Sequence, residues 1–158
     1  MSLGGGEGGG GADEQLRELS EQLQALEEQI EALEAEQKSL RERKGRIDEA
    51  INAMDELEDG STVQVPVADE AYVHAEITDV DRVTVDLGGG YAAERDADGA
   101  VDTLENRKET IDDRIAEVGD RITELEEESD ELEDRAVAMQ RQQMQQRMGG
   151  GQGQGQDE

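Results

Sequence analysis

Two heptad-patterned segments of nearly equal length flank a short block of β-like alternation, and this mirrored order restricts the chain to very few folds. Spacings of three and four give a first apolar seam of Leu16, Leu19, Leu23, Leu26, Ile30, Leu33, Gln37, Leu40, Lys44, Ile47, Ile51 and Met54. The second reads Val101, Leu104, Lys108, Ile111, Ile115, Val118, Ile122, Leu125, Ser129, Leu132, Ala136 and Met139. Only Gln37, Lys44, Lys108 and Ser129 interrupt them. Such spacing keeps one stripe of a helix facing a partner helix, the mark of a coiled coil. Two helices of matched length around a compact β-block predict an antiparallel hairpin.

Composition narrows the alternatives. Aromatic residues make up 1% of the 158 residues, and Phe, Trp and Cys are absent. A thick globular core normally draws on aromatics, so a thin helix-pair seam is what remains, without disulfides, thiolate metal sites or a thiol nucleophile. No run of 18 apolar residues is available to span a membrane. The start, Met1-Ser2-Leu3 followed by glycines, lacks the basic and apolar regions of a signal peptide, so the protein is read as cytoplasmic. The net charge of −28, from 43 acidic and 15 basic residues, disfavours nucleic-acid backbones, which require Lys and Arg. Lys38, Lys44 and Lys108 are the only lysines. Few lysines under a carboxylated surface point to a halophilic protein, because molar salt shortens the Debye length to about 3 Å and screens self-repulsion.

Along the chain, residues 1–11 and 149–158 read as disordered Gly-rich and Gly/Gln tails, since glycine loses the most entropy on ordering. Between them a single domain is expected over 12–148. It has a helix over 12–58, on the order of 70 Å long, β-hairpins over 62–95, and a second helix over 97–148 capped by Asp96 or Asp98. Val63, Val65 and Val67 share one strand face; Val73, Ala75 and Ile77 share the next, and Val83, Val85 and Leu87 the third. Ala68-Asp69-Glu70 and Gly88-Gly89-Gly90 supply the turns. Isolated hairpins are only marginally stable, and the helices' single stripe is already used by the seam. The valine-rich faces and open edges therefore require another chain, which assigns Val63, Val65, Val67, Val73, Ile77, Val83, Val85 and Leu87 to subunit assembly.

The order long helix, two β-hairpins, long helix closely resembles the α-type subunit of archaeal prefoldin. The most specific stretches are Val63-Gln64-Val65-Pro66-Val67, then Tyr72-Val73-His74-Ala75-Glu76-Ile77, then Arg82-Val83-Thr84-Val85-Asp86-Leu87-Gly88-Gly89-Gly90-Tyr91. Two hairpins rather than one match the α-type over the β-type subunit. The resemblance spans residues 12–148. It implies a hetero-hexamer of two α-type and four β-type chains whose strands form an inter-subunit β-barrel platform. It further implies an ATP-independent chaperone that captures unfolded polypeptides at the distal coiled-coil tips and delivers them to a group II chaperonin. The glycine-rich tails and the acidity depart from the family pattern.

The tip residues can also be read directly. In an antiparallel hairpin Leu16, Leu19 and Leu23 approach Ala136, Met139 and Gln143, and beyond them Val137, Met144 and Met148 lie in a glutamine-rich stretch. Flexible thioethers suit dissimilar partners, so Leu16, Leu19, Leu23, Val137, Met139, Met144 and Met148 are the candidate client contacts. Leu19, Leu23 and Met139 have a competing use in closing the seam. Met144 and Met148 lie past most of the partner helix and are the stronger candidates.

No catalytic, cofactor or metal site is expected. Neither glycine run is followed by Lys-Ser or Lys-Thr, so no phosphate loop is present. Asp55-Glu56-Leu57-Glu58-Asp59 lacks a cation-loop pattern and reads as a solvated helix end. His74, the only histidine, falls on the polar side of its strand. The competing class is a structural scaffold or tether with no client-holding activity. A regulatory arm probing a polymerase channel is disfavoured, since the turn is a valine-rich block rather than an acidic loop.

Overall fold

The computed structural model describes residues 7–155, with side chains over 11–149. The order is α1 (Glu7–Glu56), β1 (Thr62–Ala68), β2 (Ala71–Glu76), β3 (Val83–Gly88), β4 (Tyr91–Arg95) and α2 (Ala97–Gly155). Two long helices thus enclose two antiparallel hairpins, as the sequence implies. The strands form two separate two-stranded sheets, β1-β2 and β3-β4. The chain divides into two compact units, Gln37–Glu117 and the pair Met1–Glu36 with Val118–Glu158.

The helix limits differ from expectation. α1 starts at Glu7 rather than at residue 12 and ends at Glu56 rather than at 58, while α2 continues past 148 to Gly155. The glycine stretches expected to be disordered are therefore helical over 7–11 and 149–155. The remaining tail residues, 1–6 and 156–158, lie outside the described residues.

In the Gln37–Glu117 unit the two helices are fastened by charge. Lys44 Nζ lies 2.7 Å from Asp112 Oδ1, and Lys108 pairs with Asp48. The partner number rises by four on α1 as it falls by four on α2, so the helices are antiparallel. Gln37 Nε2 donates to the Ile115 carbonyl at 3.1 Å. Three of the four polar interruptions in the seam are thus bridges between the helices, a common device for fixing register. The hydrogen bond to the Asp48 carboxylate holds the Lys108 ammonium above the ordinary lysine pKa; burial opposes the shift, and the charges of Asp48, Asp112 and Glu105 add to it.

The apolar core of this unit is Ile47, Val85, Ala100, Leu104 and Ile111, with Leu40, Ile51, Met54, Val83 and Ile115 packed around it. This corrects the expectation that the helices cannot cover any strand. Val85 is only 5% exposed. The second hairpin lays one face over the start of α2, where Ala100 is small enough for close approach. Arg107 Nη1 also reaches the Asp86 carbonyl at 2.8 Å. Val85 is therefore a core residue, with the half-buried Val83 packed against the same core.

Register follows side-chain alternation. In the first hairpin Val63 faces Ala75, Val65 faces Val73, and Gln64 faces His74, with an irregularity between Pro66 and Ala68. Its Asp69-Glu70 turn places Glu70 at φ 69°, a conformation costly for a residue with Cβ. The second hairpin pairs Val85 with Ala93 and turns through Gly89 and Gly90, both at positive φ, as tight hairpin turns demand. Gly60 N donates to the Ile77 carbonyl, and Ile77 N to the Ser61 carbonyl, each at 2.8 Å. Asp59 Oδ1 accepts Val80 N at 2.7 Å. Asp96 is the N-cap of α2, its Oδ1 accepting Gly99 N at 2.7 Å.

The other unit pairs the N-terminal part of α1 with the C-terminal part of α2. Its core is Leu19, Leu26, Leu125 and Leu132, lined by Leu23, Ile30, Leu33, Ala136 and Met139. Val118 and Leu125 are each 2% exposed, about as deep as a two-helix seam allows.

Candidate functional site

The unit containing both helix ends carries the first surface. Past Leu132 the seam side of α2 presents Ala136, Met139 and Gln143, all half-buried, toward α1. Val137, Met144 and Met148 point elsewhere and are exposed at 48%, 66% and 70%. An open groove of about 330 Å³ runs between Ala12 and Gln15 on one side and Met139, Gln143 and Gln146 on the other. A second, also about 330 Å³, separates Gln15 and Gln22 from Arg135 and Met139. The walls of the first are thioether, methylene and neutral amide, which offer dispersion contacts and hydrogen bonds without a fixed charge pattern.

The seven residues expected here fall into two groups. Leu19 is buried, Leu23 and Met139 belong to the seam core, and Leu16 is half-buried. Leu19, Leu23 and Met139 thus help to close the helix pair, while Leu19 and Met139 also line the grooves. Val137, Met144 and Met148 remain open.

The second surface lies on the hairpins. Val65, Val67 and Val73 of the first hairpin are 42%, 64% and 50% exposed, and Leu87 of the second is 43% exposed. Val63 and Ile77 are half-buried. Each sheet has only two strands, so each strand keeps one edge with unpaired backbone groups, open to augmentation. Tyr72 and Tyr91, the chain's two aromatics, are 62% and 74% exposed. Sequence reading passed over them as assembly residues. The available signal was position: each directly follows, or follows by one residue, a hairpin turn, where a core residue is not needed. Exposed tyrosines are enriched at interfaces.

Among the described residues no group of three or more His, Asp or Glu side chains is placed to hold a metal ion. His74 is exposed, its Nε2 lying 3.5 Å from Gln64 Nε2. Asp59, at the acidic end of α1, is engaged by the Val80 amide. Among the described residues no helix is long and apolar enough to cross a membrane.

Comparison with known proteins places this geometry. The prefoldin subunit family matches residues 19–145. Prefoldin subunit alpha of Halobacterium salinarum is 62% identical over 100 residues, 63% of this chain and 65% of that protein. The subunit of the same name from Haloarcula marismortui is 59% identical over 68 residues, covering 43% of this chain and 44% of that one. The aligned stretch spans less than two thirds of either relative's own length. The crystal structure of the prefoldin beta subunit from Thermococcus strain KS-1 shares the fold, with a TM-score of 0.52 at 17% identity over 78% of this chain and 90% of that one.

Proposed function

Since the chain belongs to the prefoldin family, we propose that it is the α-type subunit of a cytoplasmic, ATP-independent chaperone that holds unfolded polypeptides and passes them to a group II chaperonin. The observation that carries this reading is the open stripe of Val137, Met144 and Met148 at the end of α2, exposed at 48%, 66% and 70%. An apolar surface of methionines has no use in a stable hairpin, and it suits clients of no fixed sequence. Each contact is weak, so holding depends on several arms acting on one client at high effective concentration.

Assembly uses the hairpins. Val63, Val65, Val67, Val73, Ile77 and Leu87 bury their apolar face against β-type subunits, two α with four β, and the open strand edges close into a β-barrel platform between chains. The exposed valines and the two unpaired sheets support this arrangement.

Deleting residues 137–158 is the test. The truncated subunit still assembles with its partners, and it loses most of its ability to keep a denatured client from aggregating, as followed by light scattering. Equal protection by the truncated complex overturns the tip assignment, and no protection by the full-length complex returns the chain to a scaffold or tether.

A further inference from the structure

The end of α2 differs in charge from the rest of the protein. From Arg135 to Gly149 it carries Arg135, Arg141 and Arg147 and not one Asp or Glu, in a chain whose net charge is −28. Val137, Arg141, Met144 and Met148 follow one another at i, i+4, i+7 and i+11, so they share one helix face. That face is turned away from Ala136, Met139 and Gln143, which line the seam side. Arg141 is exposed and has no ion pair among the described residues. A guanidinium thus stands in the middle of the apolar stripe with no carboxylate of its own helix near in sequence.

At low salt the strongly negative chain repels other acidic chains. In molar salt the Debye length falls to about 3 Å, and this long-range repulsion is lost. Charge selection then acts only at contact, where a guanidinium grips a carboxylate in a bidentate fork that an ammonium cannot reproduce. We propose that the face formed by Val137, Arg141, Met144 and Met148 prefers acidic client segments, in which a carboxylate sits among apolar side chains, over neutral or basic segments of equal hydrophobicity. This rests on the client-holding reading above and adds the class of client.

The test uses the full chain in its native assembly at molar salt. Three unstructured fluorescent peptides share the same Leu and Val positions and carry Glu, Gln or Lys between them. Anisotropy titration is expected to rank Glu above Gln above Lys, with the Glu peptide bound about three- to fivefold tighter than the Gln peptide, the range open to an exposed charge pair. Arg141→Gln abolishes that preference, bringing the Glu peptide down to the affinity of the Gln peptide, whereas Arg141→Lys retains part of it. Met144→Ser weakens all three peptides alike. Arg17→Gln, a change on α1 beside Glu21, leaves the ranking intact. Equal binding of the three peptides by the unmodified protein, or a preference that survives Arg141→Gln, overturns the proposal while client holding stands. If no peptide binds and denatured proteins also go unprotected, the client-holding reading fails and takes this proposal with it.

Discussion

At the scale of single residues, two backbone positions sit against local preference. Glu70 holds φ at 69° in the first turn, costing about 1–2 kcal/mol for a residue with Cβ. Replacing it with glycine removes that strain and adds roughly 0.5–1 kcal/mol of unfolded-state entropy to be lost, so Glu70→Gly should leave stability unchanged or raise it by up to about 1 kcal/mol. Gly45 is the mirror case. It lies inside α1, and an alanine Cβ there would have open space around it, with no neighbouring atom within 4 Å. Gly45→Ala should therefore stabilise by about 0.5–1 kcal/mol. Urea midpoints in molar salt check both. Lys108 supplies a pH signature. Its folded pKa is raised by the hydrogen bond to Asp48, so its stabilising contribution is complete below the unfolded lysine value of about 10.4 and is lost as pH rises through the folded value. The melting temperature should therefore decline on the alkaline side, and Lys108→Met should flatten that decline. A curve of unchanged slope in the variant would remove Lys108 as its source.

At the scale of elements, the question is which strand face belongs to the monomer. Val85 is 5% exposed and Val65 is 42% exposed, although the two valines read alike in sequence. Val85→Ala should cost the chain roughly 2 kcal/mol by lost burial and a residual cavity, seen as a lower urea midpoint. Val65→Ala should barely move that midpoint and should weaken assembly, seen as dissociation at higher protein concentration. The seams were legible in advance: Leu19, Leu26, Ile47, Leu104, Ile111, Val118, Ile122, Leu125 and Leu132 all fall on the heptad positions and all are buried. Periodicity finds them because a helix partner imposes its period on the sequence. Val85 and Ala100, the other two buried residues, were not found, because alternation tells which strand residues share a face without telling which face meets a helix. The bridges made by Gln37, Lys44 and Lys108 were visible only as interruptions, since their partners lie on the other helix. At the candidate site, the exposure of Met144 and Met148 was legible from their lying beyond most of the seam. Leu19, Leu23 and Met139 also belong to the seam core, since α1 accompanies α2 further than the sequence revealed.

At the scale of the molecule, charge sets the conditions under which the fold exists. A net charge of −28 sets self-repulsion against a thin core. Helical ellipticity near 222 nm should fall sharply on dialysis from molar to millimolar salt and return when salt is restored. A signal that stays constant would mean that the seam alone outweighs the repulsion. Within this acidic background the two seam lysines have a consequence for motion. Sliding one helix by a heptad would break both pairs with Asp48 and Asp112 and replace only one of them, setting Lys44 opposite Glu105 but Lys108 opposite Arg41, or Lys108 opposite Asp55 but Lys44 opposite Gly119. The helices are keyed together like the two halves of a splined shaft. Within the Gln37–Glu117 unit a pull on one helix is therefore felt by the other at residues 44–48 and 108–112.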